Sequence, residues 1–405
     1  MTGPVRARGL RAVIVSAAAA LLGGCIVGGG VGSGGGGIGL GFGTFDYAGT
    51  AVGIGIGSRS GISIGAATGI GSGTFGPSGE GARPQPASSD EWLPRDGIAA
   101  FGDRFIDLTP AEIVFASSRF AGARGVTASQ SARLHAAQPR FLVLDERLIA
   151  GLGDNTLVIE GDTRVPDSLG PDFVGASWAY ALPGNPAPVR YIPGDWTLMD
   201  LDDAGWRTFF TDRVQSMRSA NGSDGLLLMQ ADLPALFAEP GWQPALPTAD
   251  PDFAEAWNER VRRFIAFLQE RGTSDGPIVA EVGSWISPAT EADPFDWADG
   301  LWVDAFAADR SGRPLNEDAW RRQLGRVLRA TGRGQAVVLA TPATDADTLM
   351  FVAGSYLLVR GPASYLSARG ADGALWPPVY AIPVPPQAEP LADGIAGYDP
   401  DGDGV

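Results

Sequence analysis

The residues of this chain best suited to chemistry are carboxylates placed at the ends of short apolar runs. Asp224-Gly-Leu-Leu-Leu-Met-Gln-Ala-Asp232 opens from an apolar stretch into polar residues and reaches Asp232. Gly300-Leu-Trp-Val-Asp304 ends on Asp304, Arg140-Phe-Leu-Val-Leu-Asp145 on Asp145 with Glu146 behind it, and Glu281 lies within Pro277-Ile-Val-Ala-Glu-Val-Gly-Ser284. Such runs read as buried parallel strands whose carboxyl ends open onto a site. Two carboxyl groups across a cleft can split a glycosidic bond, one protonating the leaving oxygen while the other attacks or activates water. The expected pair is Asp232 and Asp304, with Asp304 as proton donor and Asp232 as nucleophile or base. Glu281 and Asp145 are held in reserve, and Glu281 could line the inside of a barrel because strand positions alternate. Each acid taken singly could equally cap a helix, pair with an arginine or sit in a solvated loop.

Trp178, Trp196, Trp285, Trp302 and Trp376 fall in or just after the apolar runs and in the long loops, where an aromatic face would suit a sugar ring. The competing role for each is to fill core. Other chemistries are poorly served. All 30 basic residues are arginine, which removes lysine Schiff bases and phosphate loops that need the amine. His135 is the only histidine and has no ligand set spaced around it, so neither a metal nor a Ser-His-Asp triad is expected, and no cofactor is implied. The net charge of −16 argues against nucleic acid as a partner.

The elements that would position the acids alternate along the chain. Ala111–Ala116 reads as a first strand, Ala128–Ala137 as a short helix, and Arg140–Asp145 as a second strand, before the apolar run Thr156–Glu160 and a Gly/Pro-rich passage to Asp202. Trp206, Phe209, Phe210, Val214 and Met217 have helical spacing, stopped by Asn221-Gly222. Asp250 and Pro251 open a second helix carrying Phe253, Trp257, Val261, Phe264, Ile265 and Leu268, and Asn316 opens a third. Strands are expected at Pro277–Ser284, Gly300–Asp304, Gln335–Ala340 and Ala363–Leu366, with a helix over Asp347–Val359. Strands with helical returns over this length fit an α/β protein of the (β/α)8 TIM-barrel type better than an open sheet, since no glycine-rich phosphate turn follows any strand.

The termini differ from this body. Arg6, Arg8 and Arg11 precede the apolar run Ala12–Leu22, which is too short to span a bilayer, and Leu22-Gly-Gly-Cys25 resembles a bacterial lipobox. Cys25 is the only cysteine, so a lipid anchor is the expected use of it. The domain reading is a signal peptide at 1–24, a disordered glycine-rich tether at 25–95, a barrel at 96–395 and an acidic tail at 396–405. Within the tether, Gly53-Ile-Gly-Ile-Gly57 with Ile62 and Ile64 alternates with period two and could form a strand. Asp399-Pro-Asp401-Gly-Asp403 imitates the opening of a calcium loop without its closing glutamate.

Several motifs carry a family resemblance: Trp196-Thr-Leu-Met-Asp200, Asp224-Gly-Leu-Leu-Leu, the Val279–Ser284 strand, Ala298-Asp-Gly-Leu-Trp-Val-Asp304, and Met350–Val359 ahead of Ala363-Ser-Tyr365. Over about residues 100–385 the chain resembles the glycoside hydrolases grouped as hypothetical glycosyl hydrolase family 15, barrels distantly similar to endo-acting polygalactosaminidases. The resemblance implies hydrolysis of a polysaccharide or amino-sugar polymer by a monomeric enzyme. Two positions depart from the pattern: Met229-Gln230 stand where Leu-Asp-Asn is usual, and Asp304 where a glutamate is common. These departures leave open an alternative, a catalytically lapsed glycan-binding or envelope-assembly lipoprotein. Ile26 after the cysteine favours the outer membrane within the cell envelope. Palmitate labelling of expressing cells is expected to mark the wild-type chain and to leave Cys25→Ser unmarked.

Overall fold

A computed structural model describes the backbone of residues 26–32, 35–45, 50–57 and 61–68, and residues 98–381 apart from 106, 169–176, 272–275, 289–292 and 369–375. Cys25, the signal segment and the acidic tail lie outside the described residues. Two units are distinct, 1–87 and 88–405.

In the first unit the stretch expected to be an unstructured tether contains strands. Ile26–Gly32, Gly35–Phe45, Thr50–Gly57 and Gly61–Thr68 form an antiparallel sheet in chain order. Ile54 registers opposite Ile64 and Ile56 opposite Ile62. The period-two alternation of glycine with apolar residues is a strand pattern, and it prevails here over the low side-chain content.

The second unit is built on eight parallel strands closed into a barrel. They are β1 (Ala100–Asp103), β2 (Phe120–Arg124), β3 (Leu142–Leu148), β4 (Gly225–Met229), β5 (Ile278–Glu281), β6 (Gly300–Asp304), β7 (Ala336–Thr341) and β8 (Ser364–Ala368). Leu366 of β8 registers with Ala100 of β1 and closes the ring. Helices return the chain outside it: α1 (Pro110–Arg119), α2 (Ala128–Ala137), α3 (Ala204–Asn221), α4 (Pro251–Glu270), α5 (Glu317–Gly332) and α6 (Ala346–Val359). The (β/α)8 architecture expected from the sequence is therefore present.

Local chemistry explains the boundaries. Asp203, Asp250, Asn316 and Asp345 each cap a helix by accepting a backbone N–H in its first turn. Gly222 ends α3 in the left-handed conformation at φ 64°. Ala111–Ala116, expected as the first strand, is helical instead. The Thr109 hydroxyl accepts from Glu112 N–H while the Glu112 carboxylate accepts from Thr109 N–H, and Pro110 occupies the first turn. The first two barrel strands are β1 and β2, which flank that helix.

Strand alternation divides the core. One set of side chains faces the helices, and a second fills the lumen with Phe101, Leu144, Leu227, Val279, Trp302, Val338 and Tyr365. Phe101 meets Trp302 and Tyr365 edge-on, each at 5.8 Å between ring centres.

Four strands inserted between β3 and α3, joined by Trp242–Gln243 from the segment between β4 and α4, form a smaller antiparallel sheet ordered Trp242–Gln243, Arg190–Tyr191, Trp196–Leu198, Gly151–Glu160, Thr163–Asp167. Its far strand is fixed to the barrel wall by a buried ion pair, Arg147 on β3 to Asp167 at 2.5 Å, with Arg213 of α3 at 3.4 Å on the same carboxylate. The Arg147 guanidinium lies over the rings of Phe209 and Phe210. Removing one partner leaves the other charged and buried, so Asp167→Ala is expected to lower stability by about 3–5 kcal/mol in urea unfolding. The double change Arg147→Met with Asp167→Leu is expected to cost far less.

Candidate active site at the barrel mouth

Lumen-facing positions of four strands carry an acid at or near the carboxyl end. Phe101 is followed two residues on by Asp103, Leu144 by Glu146, Val279 by Glu281 and Trp302 by Asp304. Period-two alternation thus carries an apolar lumen side chain directly beneath an acidic one. Arg124, the last residue of β2, is set among them. Its Nε lies 2.9 Å from Asp103 Oδ1 and 3.4 Å from Glu146 Oε1, its Nη1 3.2 Å from Glu281 Oε1, and its Nη2 3.9 Å from Asp304 Oδ2. Below, the guanidinium carbon sits 4.2 Å from the ring centre of Trp302, which is fully buried. Arg164 of the inserted sheet donates to Glu146 Oε2 at 2.9 Å.

Burial opposes the charge on Arg124, but the carboxylates of Asp103, Glu146 and Glu281 outweigh it and hold the guanidinium more firmly protonated than usual. For Glu281 the balance goes the other way. Burial raises its pKa above the ordinary glutamate value; Arg124 and the Gln230 amide pull it down, while Asp304 and Glu146 push it up. The Gln230 N–H donates to Glu281 Oε2 at 2.9 Å. Gln230 makes that contact from the left-handed region, at φ 54°. Asp304 is the open member, its side chain 39% exposed. Because Glu281 and Asp304 touch one guanidinium, their carboxyl oxygens lie within roughly 10 Å of each other.

Of the four acids singled out in the sequence, the structure brings Glu281 and Asp304 together. Asp232 is placed otherwise: it is buried and caps the short helix Leu233–Phe237, accepting from the Ala235 amide at 3.4 Å. The two of these acids that meet around Arg124 are Glu281 and Asp304. Asp145 faces outward from β3, where it accepts from the Asn221 amide and the Ser223 hydroxyl. Its neighbour Glu146 has the lumen parity. Asp103 and Arg124 went unnoticed, and Glu146 entered only as the neighbour of Asp145. The first two belong to strands hidden behind the misread helix, and Glu146 was recoverable only from its spacing after Leu144.

The tryptophans are structural in the main. Trp196 and Trp285 are buried, Trp196 between Tyr191 and Trp242 and Trp285 against Phe295. Trp302 is the lumen floor under Arg124. Trp178 packs on Phe209, and Trp376 on Phe115, Phe120 and Tyr380. Trp178 and Trp376 are only half-buried, while Trp196, Trp285 and Trp302 belong to the core. His135 bonds Asp224 at 3.0 Å and the Phe141 carbonyl at 2.9 Å, a tie between α2 and the start of two strands.

No family model matches the chain, and no curated protein matches it. Solved structures similar to it include a xylosidase from Aspergillus niger, at TM-score 0.41 and 10% identity over 71% of this chain and 47% of that one. A noncanonic maltogenic alpha-amylase from Thermotoga neapolitana is similar at TM-score 0.38 and 10% identity over 72% of each chain. A GH36 alpha-galactosidase from Geobacillus stearothermophilus is similar at TM-score 0.39 and 8% identity, over 71% of this chain and 40% of that one. The chain thus spans less than half the length of two of these three proteins. At these values the likeness is one of barrel shape, and the chemistry rests on the residues themselves.

Asp145 gives this region a pH signature. Burial pushes its carboxyl up to about 6 from an ordinary 3.8, against the pull of Ser223 and Asn221. A carboxyl with a raised folded pKa favours the folded state when protonated, so that contribution is full below about pH 4 and is lost as pH rises to about 6. Urea unfolding across this window is expected to show wild-type stability falling relative to Asp145→Asn as pH rises.

Proposed function

We propose that this chain is a glycoside hydrolase acting on a polysaccharide, among them amino-sugar polymers, through Glu281 and Asp304. The observation that carries the reading is the placement of these two acids on adjacent strands at the barrel mouth, both in contact with Arg124. Glu281 is the member suited to give up a proton. It is buried beside like charges, which raises its pKa above the ordinary glutamate value, and its carboxyl is oriented by Arg124 and the Gln230 amide. Asp304, more open to solvent, is suited to act as nucleophile or to activate water. These roles reverse the expectation that Asp304 donates the proton, because burial distinguishes the two acids in a way that sequence position does not. Asp103 and Glu146 hold Arg124 in place and keep its charge from being spent on one acid alone. In this reading the barrel works as a monomer held at the cell envelope, on the outer-membrane side, by a lipid on Cys25.

A second reading has its own observation. All four mouth carboxylates already lie within ion-pair range of one guanidinium, and β4 ends in Met229-Gln230 without an acid. A barrel that binds glycan or serves envelope assembly without cleaving would look like this. Reducing-end release from a panel of neutral and amino polysaccharides separates the two. Release by the wild type, cut by about 10²–10⁴-fold in Glu281→Gln and in Asp304→Asn, is the expected result. Retained binding with no release from any polysaccharide would leave the second reading in place.

A further inference from the structure

Arg104 leaves β1 at the barrel mouth, directly after Asp103, and its N–H donates to the Arg124 carbonyl at 2.8 Å. Its backbone turns through the left-handed region at φ 55°. The turn carries the next residue, Phe105, into the core against Phe120 and Phe141. Glycine or asparagine would make that turn more easily, so the backbone does not explain an arginine there. Packing does not explain it either, because the side chain is 43% exposed.

The stem of Arg104 lies along the acid cluster. A Cβ on Gly125 would sit 3.0 Å from Arg104 Cγ and 3.1 Å from Glu146 Oε2, so the two side chains face each other across a glycine. Among the described residues the one charged group in range of the Arg104 guanidinium is Asp103. The Arg104 Nε is 3.9 Å from Asp103 Oδ1, the oxygen that Arg124 already holds at 2.9 Å. An ion pair of that length at an exposed site contributes little. Charge at the mouth is nearly balanced: Asp103, Glu146, Glu281 and Asp304 are faced by Arg104, Arg124 and Arg164. An anion is therefore not repelled there as the chain's net charge of −16 would suggest. An accessible guanidinium takes a carboxylate through two parallel N–H donors, a match that a neutral hydroxyl does not offer.

Resting on the proposed glycosidase reading, we infer that Arg104 determines specificity by binding the carboxylate of an acidic sugar unit next to the bond that is cleaved. The substrate class is then a polysaccharide that contains uronic acids. Asp103 and Asp304 contact the same Arg124 guanidinium, so Arg104 stands beside the acid pair on the rim of one site.

Calorimetric titration tests this on the full chain carrying Asp304→Asn, so that cleavage does not intrude and the lost charge is common to every comparison. The probes are hexamers of galacturonate and of mannuronate and a hyaluronan hexasaccharide, each also with its carboxyls methyl-esterified. The best acidic probe is expected to bind about tenfold tighter than its ester. Arg104→Gln is expected to remove that difference and to leave the affinity for the ester unchanged. Arg104→Gly, which suits the turn, is expected to do the same, whereas Arg104→Lys keeps the charge without the fork and recovers part of the preference. No acidic probe bound more tightly than its ester, or a preference that survives both Arg104→Gln and Arg104→Gly, would overturn the inference. The two proposals fail separately. An Arg104-dependent preference, with no reducing-end release from any polysaccharide by the wild type, would keep the acidic-sugar site and remove the enzyme. Release by the wild type without such a preference would do the reverse.

Discussion

A single guanidinium makes the mouth of this barrel possible. Four carboxylates from four strands converge there, and in a partly buried site their mutual repulsion would force protonation or open the barrel end. Arg124 reaches all four and lies on the face of Trp302, so the positive charge is shared among the acids and its lower face is dry. Charge sharing also has a chemical consequence. No one acid is fully neutralised, and the most buried of the pair proposed to act, Glu281, stays biased toward its protonated form while Asp304 faces solvent.

The inserted sheet extends the same logic outward. Arg164 bonds the outer oxygen of Glu146, and the Arg147–Asp167 pair anchors the sheet's edge to β3. Aromatic side chains hold this sheet in place, with Tyr191, Trp196 and Trp242 packed on one another.

Much of the barrel was legible in the sequence because its later strands and helices carry strong local signals. The α3, α4 and α5 helices begin at capping residues and keep one apolar face, and β6 was placed residue for residue. The first strand was misplaced because Ala111–Ala116 is apolar enough to read as buried strand, while the capping box that makes it helical needs only Thr109 and Glu112. Parity decided the site. At Asp145-Glu146 two adjacent acids compete for the lumen, and one residue of register separates a helix-facing carboxylate from one that contacts Arg124. Asp232 looked like a strand tip, yet the chain turns at Gln230, and by residue 232 it is already capping a helix.

The dependence of the acid cluster on Arg124 can be measured directly by following the Glu281 carboxyl through a pH titration with carbon-13 NMR, in the wild type and in Arg124→Met. If the guanidinium organises the mouth, Glu281 titrates above the ordinary glutamate value in the wild type and higher still once the arginine is gone. An ordinary value in both proteins would mean that the four carboxylates do not share this site.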